Sequence, residues 1–310
     1  MEVIHNISNY RPQKASILTI GTFDGIHIGH QKIIKNLVAT ARKENLRSLI
    51  LTFFPHPRMV LQKDNQLKMI DTIEEKRKFL EKLGVDVLII QPFTLKFSRM
   101  TALEYTRDIL INSLNISKLI IGYDHRFGRN REATVQDLKH FGEDYGFTVE
   151  EIPAQDIESI AVSSTKVRNA IATGEIKKAN RYLGRPFSLN GTVVKGDKIG
   201  RKIGYPTANL EIKEDYKLRP QNGVYLVQCH WNDQKYYGMM NVGKRPTIAG
   251  KKNRIETYFF EFTGDLYGKK LSIDLLEKIR DEQKFDSLEA LKNQLNQDEK
   301  SCQNLIPKYL

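Results

Sequence analysis

Cysteine is nearly missing from this chain: two in 310 residues, Cys229 and Cys302, far apart and outside any Cys-x-x-Cys spacing. That excludes a disulfide framework and a thiolate zinc site, and makes a reducing cytoplasm the expected setting. Long apolar runs are missing as well. No stretch approaches the ~18 consecutive apolar residues of a membrane span, and residues 1 to 16 carry no signal-peptide pattern, so no membrane association is expected. Charge is plentiful but never concentrated. The net charge is +12, with 28 Lys and Arg against 21 Asp and Glu in residues 1–185 and 21 against 16 in the rest. A spread excess without a basic arm argues against nucleic acid as a partner, and it suits small polyanionic ligands. Repeats and low-complexity tracts are absent too.

What is present falls into two rhythms. Ser16–Ile20, Ser48–Phe54, Val85–Ile90, Lys118–Ile121 and Phe147–Ile152 read as strands, and helical stretches lie around Gln31–Glu44, Ile73–Leu83, Ala102–Ser113 and Val135–Tyr145. Strand and helix alternating at this spacing predict a doubly wound parallel α/β sheet, with ligands at the carboxyl ends of its strands. Two short helices, Thr165–Thr173 and Ile176–Leu183, lead to Gly184-Arg185-Pro186, where the rhythm changes. Short β segments follow at Phe187–Lys195, Gly223–Cys229, Tyr236–Val242, Ile255–Phe262 and Lys270–Leu276, ahead of a helical tail from Ser287. They predict an antiparallel β-barrel with terminal helices. Two domains, 1–185 and 186–310, are therefore expected.

The most informative segment is Gly-Thr-Phe-Asp-Gly-Ile-His-Ile-Gly-His, residues 21 to 30. A strand emptying through a Gly-rich turn into a helix start presents unpaired N–H groups and a positive dipole end, which suit an anion. His27 and His30 would stand beside bound phosphates as donors. Gly122-Tyr123-Asp124-His125-Arg126-Phe127-Gly128 follows another strand; alone it reads as an exposed charged loop, or as a phosphate and base contact. Ser163-Ser164-Thr165-Lys166-Val167-Arg168 reads as a helix cap with a basic first turn. Cations are unfavourable at that helix end, which points to an anion nearby.

Taken in order and spacing, GTFDGIHIGH, GYDHRFG and SSTKVR resemble the H-x-G-H nucleotidyltransferase domain of bifunctional FAD synthetases, prokaryotic enzymes that join an FMN adenylyltransferase to a riboflavin kinase. Phe53-Phe54-Pro55-His56-Pro57 also matches, and the similarity continues through GTVVKGDKIGRKIGYPTANL, NGVYLV, GMMNVGKRPTIAG and the strand bearing Glu256. It covers nearly the whole chain. The resemblance implies adenylyl transfer from ATP to FMN by the first half, with His27 and His30 catalytic. It places Gly21, Phe23, Asp24, Gly29, Asp124, Arg126, Ser164, Thr165 and Arg168 around the nucleotide. For the second half it implies phosphorylation of riboflavin. Glu256 is then the catalytic base and Gly196, Gly204, Thr207 and Asn209 hold the nucleotide. Thr207 and Asn209 also hold Mg²⁺, and Arg280 stands near the flavin. If Thr207 to Leu210 runs extended, Thr207 and Asn209 share one face. ATP, riboflavin, FMN and FAD are the expected ligands.

Three residues depart from the family pattern: His125 where Phe is common, Ala133 where Gly is common, and Tyr258 where a His is expected. Two other readings stay open. His27-Ile28-Gly29-His30 also spells the HIGH motif of class I aminoacyl-tRNA synthetases, but no Lys-Met-Ser-Lys-Ser element accompanies it and the second half would go unexplained. A nucleotidyltransferase acting on another phosphorylated acceptor is the other.

Overall fold

The computed structural model describes residues 1–64, 66–122, 125–152, 162–197, 199–247 and 250–310, with only the backbone described for 199, 244–247 and 250–253. The chain forms two compact units, Met1–Ser164 and Thr165–Leu310.

The first unit is a six-stranded parallel sheet built from β1 (Glu2–His5), β2 (Ser16–Ile20), β3 (Arg47–Phe54), β4 (Val87–Pro92), β5 (Ile116–Gly122) and β6 (Thr148–Ile152), in the spatial order β1-β4-β3-β2-β5-β6. Strands β2 to β6 match the expected strands. The edge strand β1 was not expected; it pairs Glu2–His5 with Val87–Ile90. Successive residues of each central strand enter opposite cores. Leu18, Leu49, Leu51, Val87 and Ile89 lie on one face, and Ile17, Ile50, Leu88 and Ile90 on the other. A sheet buried on both faces needs strands that are largely apolar, as these are, their buried polar side chains being Ser16, Thr19, Ser48, Thr52 and Gln91. The helix Ile28–Lys43 supplies Ile34, Leu37, Val38 and Ala41 to the second core, at helical spacing. The expected helix Ala102–Ser113 is α-helical only over Ala102–Glu104; Tyr105–Ser113 is a π-helix, closed by Leu114 N–H donating to Ile109 O five residues back at 3.0 Å. The chain reverses direction across the sheet between β2 and β5. That switch point is where a doubly wound sheet opens its crevice.

The second unit is a closed antiparallel barrel, β10-β11-β8-β7-β12-β9, made of β7 (Phe187–Val194), β8 (Ala208–Glu211), β9 (Gly223–Trp231), β10 (Gln234–Thr247), β11 (Gly250–Phe259) and β12 (Lys270–Arg280). Closure removes the unpaired edges of an open sheet. Strand β9 is buried on both faces: Tyr225 and Val227 on one, Val224 and Leu226 on the other, packed with Met239, Leu276 and Cys302. The C-terminal helix Leu288–Leu305 covers that second face through Leu295, Cys302 and Leu305. The helix Ile176–Leu183 is fastened to the barrel by Asn180, whose amide donates to Leu275 O at 2.8 Å and accepts from Phe187 N–H at 2.8 Å. Both cysteines are buried, and burial pushes their thiols up to about 11 for Cys229 and about 12 for Cys302, so neither serves as a nucleophile.

Candidate functional site

At the carboxyl end of β2 the chain turns sharply. Phe23 (φ 43°) and Ile26 (φ 36°) are left-handed without being glycine, a conformation retained where surrounding structure fixes it. Hydrogen bonds to three acceptors do the fixing. The Asp24 carboxylate accepts from Ile70 N–H at 2.9 Å and from Asp71 N–H at 3.4 Å. Thr22 O accepts from Lys76 Nζ at 2.6 Å and from the Thr52 hydroxyl at 3.2 Å. The Ser164 hydroxyl donates to Asp24 O at 2.9 Å, which ties the third motif to the first. Asp24, expected among the nucleotide contacts, is fully buried here with its carboxylate on the backbone of residues 70 and 71.

The helix begins at Ile28, three residues earlier than its periodicity implied, because His27 is its N-cap: Nδ1 accepts from His30 N–H at 3.4 Å. The acceptor role at Nδ1 leaves the proton of the neutral ring on Nε2, as a donor. His27 and His30 stack at 3.7 Å with a 19° interplanar angle, and Phe23 meets His30 edge-on at 5.2 Å. Gly29 has a direct reason to lack a side chain, since a Cβ there would lie 3.3 Å from the His27 ring. Burial drives the His27 pKa down to about 4. Burial first, then the charges of His27 and Lys76, hold His30 well below its ordinary value. Both rings are therefore neutral at pH 7. Lys76 was not anticipated. It is fully buried, and desolvation lowers its pKa against the opposing pull of Asp24 and Asp71.

Gly21 follows β2 directly and donates its N–H to Leu51 O at 3.1 Å. Asp124 lies outside the described residues. Arg126 is exposed and immediately precedes a loop closed by reciprocal 3.2 Å backbone bonds between Phe127 and Ala133. His125 stacks on Phe127 at 6.3 Å. Thr165 and Arg168 ride on the helix Ser164–Ala172, exposed and half-buried respectively.

In the barrel, the expected extended run is present: Ala208 and Asn209 of β8 pair with Thr257 and Glu256 of β11. Thr207 and Asn209 thus project to the same side as Glu256. The Thr207 hydroxyl lies 3.4 Å from Glu256 Oε1, and Arg254 Nη2 lies 2.6 Å from the same oxygen. Arg254 also reaches Asp197 at 3.5 Å and was not anticipated. The place of a Cβ on Gly196 is taken by the Asn209 amide, so this glycine permits the close approach; Gly204 takes φ 89°. Glu256 and Thr207 open into a cavity of about 260 Å³ walled by Tyr205, Met239, Tyr258 and Leu295. Tyr258, the departure from the family pattern, packs edge-on against Tyr205 at 5.0 Å and forms part of that wall. A second cavity, about 100 Å³, lies on the far side of Thr207 and is bounded by Pro206, Phe259 and Tyr267. Arg280 lines the first cavity from β12. It is held by a bidentate pair with buried Asp298, at 2.8 and 2.7 Å, from the C-terminal helix. Sequence reasoning gave Arg280 but not Asp298, which looks like one more polar residue of a charged helix.

Among the described residues no cluster of three His, Cys, Asp or Glu side chains has the arrangement of a metal site. The Thr207 hydroxyl and the Asn209 amide oxygen are hard donors, and Mg²⁺ takes few protein ligands beside phosphate and water, so these two fit such an ion.

The family model for FAD synthetase matches residues 10–166, and that for riboflavin kinase matches residues 183–306. A bifunctional riboflavin kinase/FMN adenylyltransferase of Buchnera aphidicola subsp. Schizaphis graminum is 38% identical over 300 residues, covering 95% of each chain. One of the same name from Escherichia coli K12 is 37% identical over 297 residues, 96% of this chain and 94% of that one. A solved structure from Streptococcus pneumoniae, described as a macrolide-efflux protein, superposes with a TM-score of 0.89 at 34% identity, over 98% of this chain and 99% of that one. Among the described residues of the present chain, no helix is long and apolar enough to cross a membrane.

Proposed function

The chain belongs to the family of bifunctional riboflavin kinase/FMN adenylyltransferases, and we propose that it makes FAD in two ATP-dependent steps, one on each half. We assign riboflavin phosphorylation to residues 186–310 and FMN adenylylation to residues 1–185. The helix Ser164–Ala172 carries a motif of the first activity, although the second compact unit begins at Thr165.

In the barrel, Glu256 takes the proton of the riboflavin 5′-hydroxyl as its oxygen attacks the γ-phosphorus of ATP, and ADP leaves. The observation that carries this reading is the Glu256 carboxylate in the larger cavity, 3.4 Å from the hydroxyl of Thr207, which lines both that cavity and a smaller one. The larger is aromatic-walled and suits an isoalloxazine; the smaller, across Thr207, suits the nucleotide. Thr207 and Asn209 would hold Mg²⁺, which when bound neutralises charge on the phosphate oxygens. Arg280, fixed by Asp298, stands beside the flavin.

In the α/β unit the FMN phosphate attacks the α-phosphorus of ATP in line and pyrophosphate is expelled, without a covalent intermediate. His27 offers its Nε2–H to phosphate oxygens beside His30 and the helix start, so the protein's part is positioning and charge stabilisation. Gly21, Phe23 and Gly29 shape the turn, Asp24 and Ser164 lock it, and Asp124, Arg126, Thr165 and Arg168 complete the nucleotide contacts. The expected surroundings are the cytoplasm. Incubation of the pure chain with riboflavin, Mg²⁺ and ATP, followed by chromatography of the flavins, is expected to show FMN and then FAD. Absence of both would overturn the reading. Release of pyrophosphate from ATP with another phosphorylated acceptor while FMN is left unreacted would favour the alternative acceptor.

A further inference from the structure

Asn241 of β10 has no assigned part in the kinase half, yet the barrel register sets it beside the proposed base. Cross-strand partners run from Asn209 to Glu256, from Glu256 to Asn241 and from Asn241 to Val224, and Val224 pairs in turn with Arg280. Residues directly opposite in an antiparallel ladder project to the same face. One row of the barrel wall therefore carries a carboxylate flanked by two amides, with an arginine two strands further round. Glu256, Asn241, Val224 and Arg280 all line the larger cavity.

The other polar members of that row are engaged. Glu256 meets Arg254 and Thr207, Arg280 meets Asp298, and Asn209 fills the space beside Gly196. Asn241 is half-buried, and its side chain makes no hydrogen bond among the described residues. Gly243, next on the same face of β10, has no room for a Cβ because Glu282 Oε1 occupies the place, and that same place lies 3.5 Å from Asn241 Nδ2. The neighbouring wall is apolar, formed by Val224, Met239 and Tyr258. A carboxamide with no hydrogen-bond partner among the described residues, in a cavity whose apolar wall also carries Glu256, Arg280 and Glu282, is the kind of group that fixes the orientation of a ligand.

We propose that Asn241 is the specificity-determining residue for the ribityl chain: its carboxamide bonds a chain hydroxyl next to the one that Glu256 deprotonates, and so selects which hydroxyl faces ATP. This rests on the reading of Glu256 as the base for riboflavin phosphorylation. A neutral amide suits the position because it both donates and accepts and does not compete for the proton. In the step itself the 5′-oxygen bonds to the γ-phosphorus, the bond to the β,γ-bridging oxygen breaks, and the proton passes to Glu256. Asn241 exchanges nothing.

The test pairs two flavins with two variants. Riboflavin is compared with a flavin whose side chain carries only a terminal hydroxyl, on wild type, Asn241→Ala and Asn241→Asp. Phosphorylation gives KM and kcat, quenching of flavin fluorescence without ATP gives Kd, and FAD formed from supplied FMN reports that the chain is folded. Asn241→Ala is expected to raise KM and Kd for riboflavin about tenfold with kcat within about threefold, and to leave the terminal-hydroxyl flavin unchanged. Asn241→Asp, which keeps the volume but sets a second carboxylate beside Glu256, is expected to weaken riboflavin at least as much. Equal loss on both flavins, or no loss on either, would overturn the proposal. Glu256→Gln separates the two readings: wild-type phosphorylation by that variant removes the base assignment, while the binding comparison still decides Asn241.

Discussion

His27 performs two tasks with one ring, and the tasks fix each other. Nδ1 caps the helix by accepting from His30 N–H, so Nε2 carries the proton that a phosphate oxygen can accept. Neutrality is maintained by burial, and that has a measurable consequence for stability. With a folded pKa of about 4 against the ordinary 6.5, the unfolded chain binds the extra proton between these values. The stabilisation is complete above about pH 6.5 and is lost as pH falls toward 4. For His27 alone the loss is on the order of 3 kcal/mol, and His30, shifted the same way, adds to it. Urea unfolding of wild type and His27→Gln at steps from pH 7 to 4 is expected to show a shallower fall for the variant. Parallel slopes would mean that the ring is already charged in the native protein.

At the scale of elements, the pair between Arg280 and Asp298 couples β12 to the C-terminal helix. Asp298 is buried and also accepts from Gln294 at 2.9 Å, so its removal leaves a guanidinium without its partner at the edge of the flavin cavity. Asp298→Ala is expected to cost about 2 kcal/mol in urea unfolding and to raise the riboflavin KM, because Leu291 and Leu295 of the same helix line that cavity. An unchanged KM would separate the helix from flavin binding. Much of this scaffold could be read beforehand. Five parallel strands, the helix Ile176–Leu183 and five of the barrel strands declare themselves through apolar runs between turn residues, and Gly196 stands where the Asn209 side chain leaves no room for a Cβ. Other elements were hidden for physical reasons. β1 is a short edge strand with only Val3 and Ile4 apolar, and β8, four residues of mixed polarity, could be read from the sequence as extended only conditionally. Both exist through their pairing rather than their pattern. Lys76, in Glu-Glu-Lys-Arg-Lys, reads as a solvated face, and only the tertiary position of Thr22 O reveals a buried cation. Arg254 could not be placed beside Glu256 before the register of β11 was known.

At the scale of the whole molecule, two proposed sites of different chemistry in the two halves of the chain predict activities that can be separated and recombined. Each proposed site is built from residues of its own motifs: Glu256 lies with Thr207 and Asn209, while His27 and His30 lie with the Asp24 turn. His27→Ala is expected to convert riboflavin to FMN at the wild-type rate and to slow FAD formation by about a hundredfold or more, each tenfold corresponding to ~1.4 kcal/mol of transition-state stabilisation. Glu256→Ala is expected to do the reverse, making FAD from supplied FMN but none from riboflavin. Because FMN is the product of one site and the substrate of the other, a mixture of the two variants should restore FAD from riboflavin, with a lag that shortens as either protein is increased. Chromatography of flavins over time distinguishes the outcomes. If the mixture stays at FMN while each variant keeps its single activity, FMN formed at one site does not reach the other site in solution, and the two steps require both sites on one chain. If each variant loses both activities while remaining folded, the assignment of one reaction to each half fails.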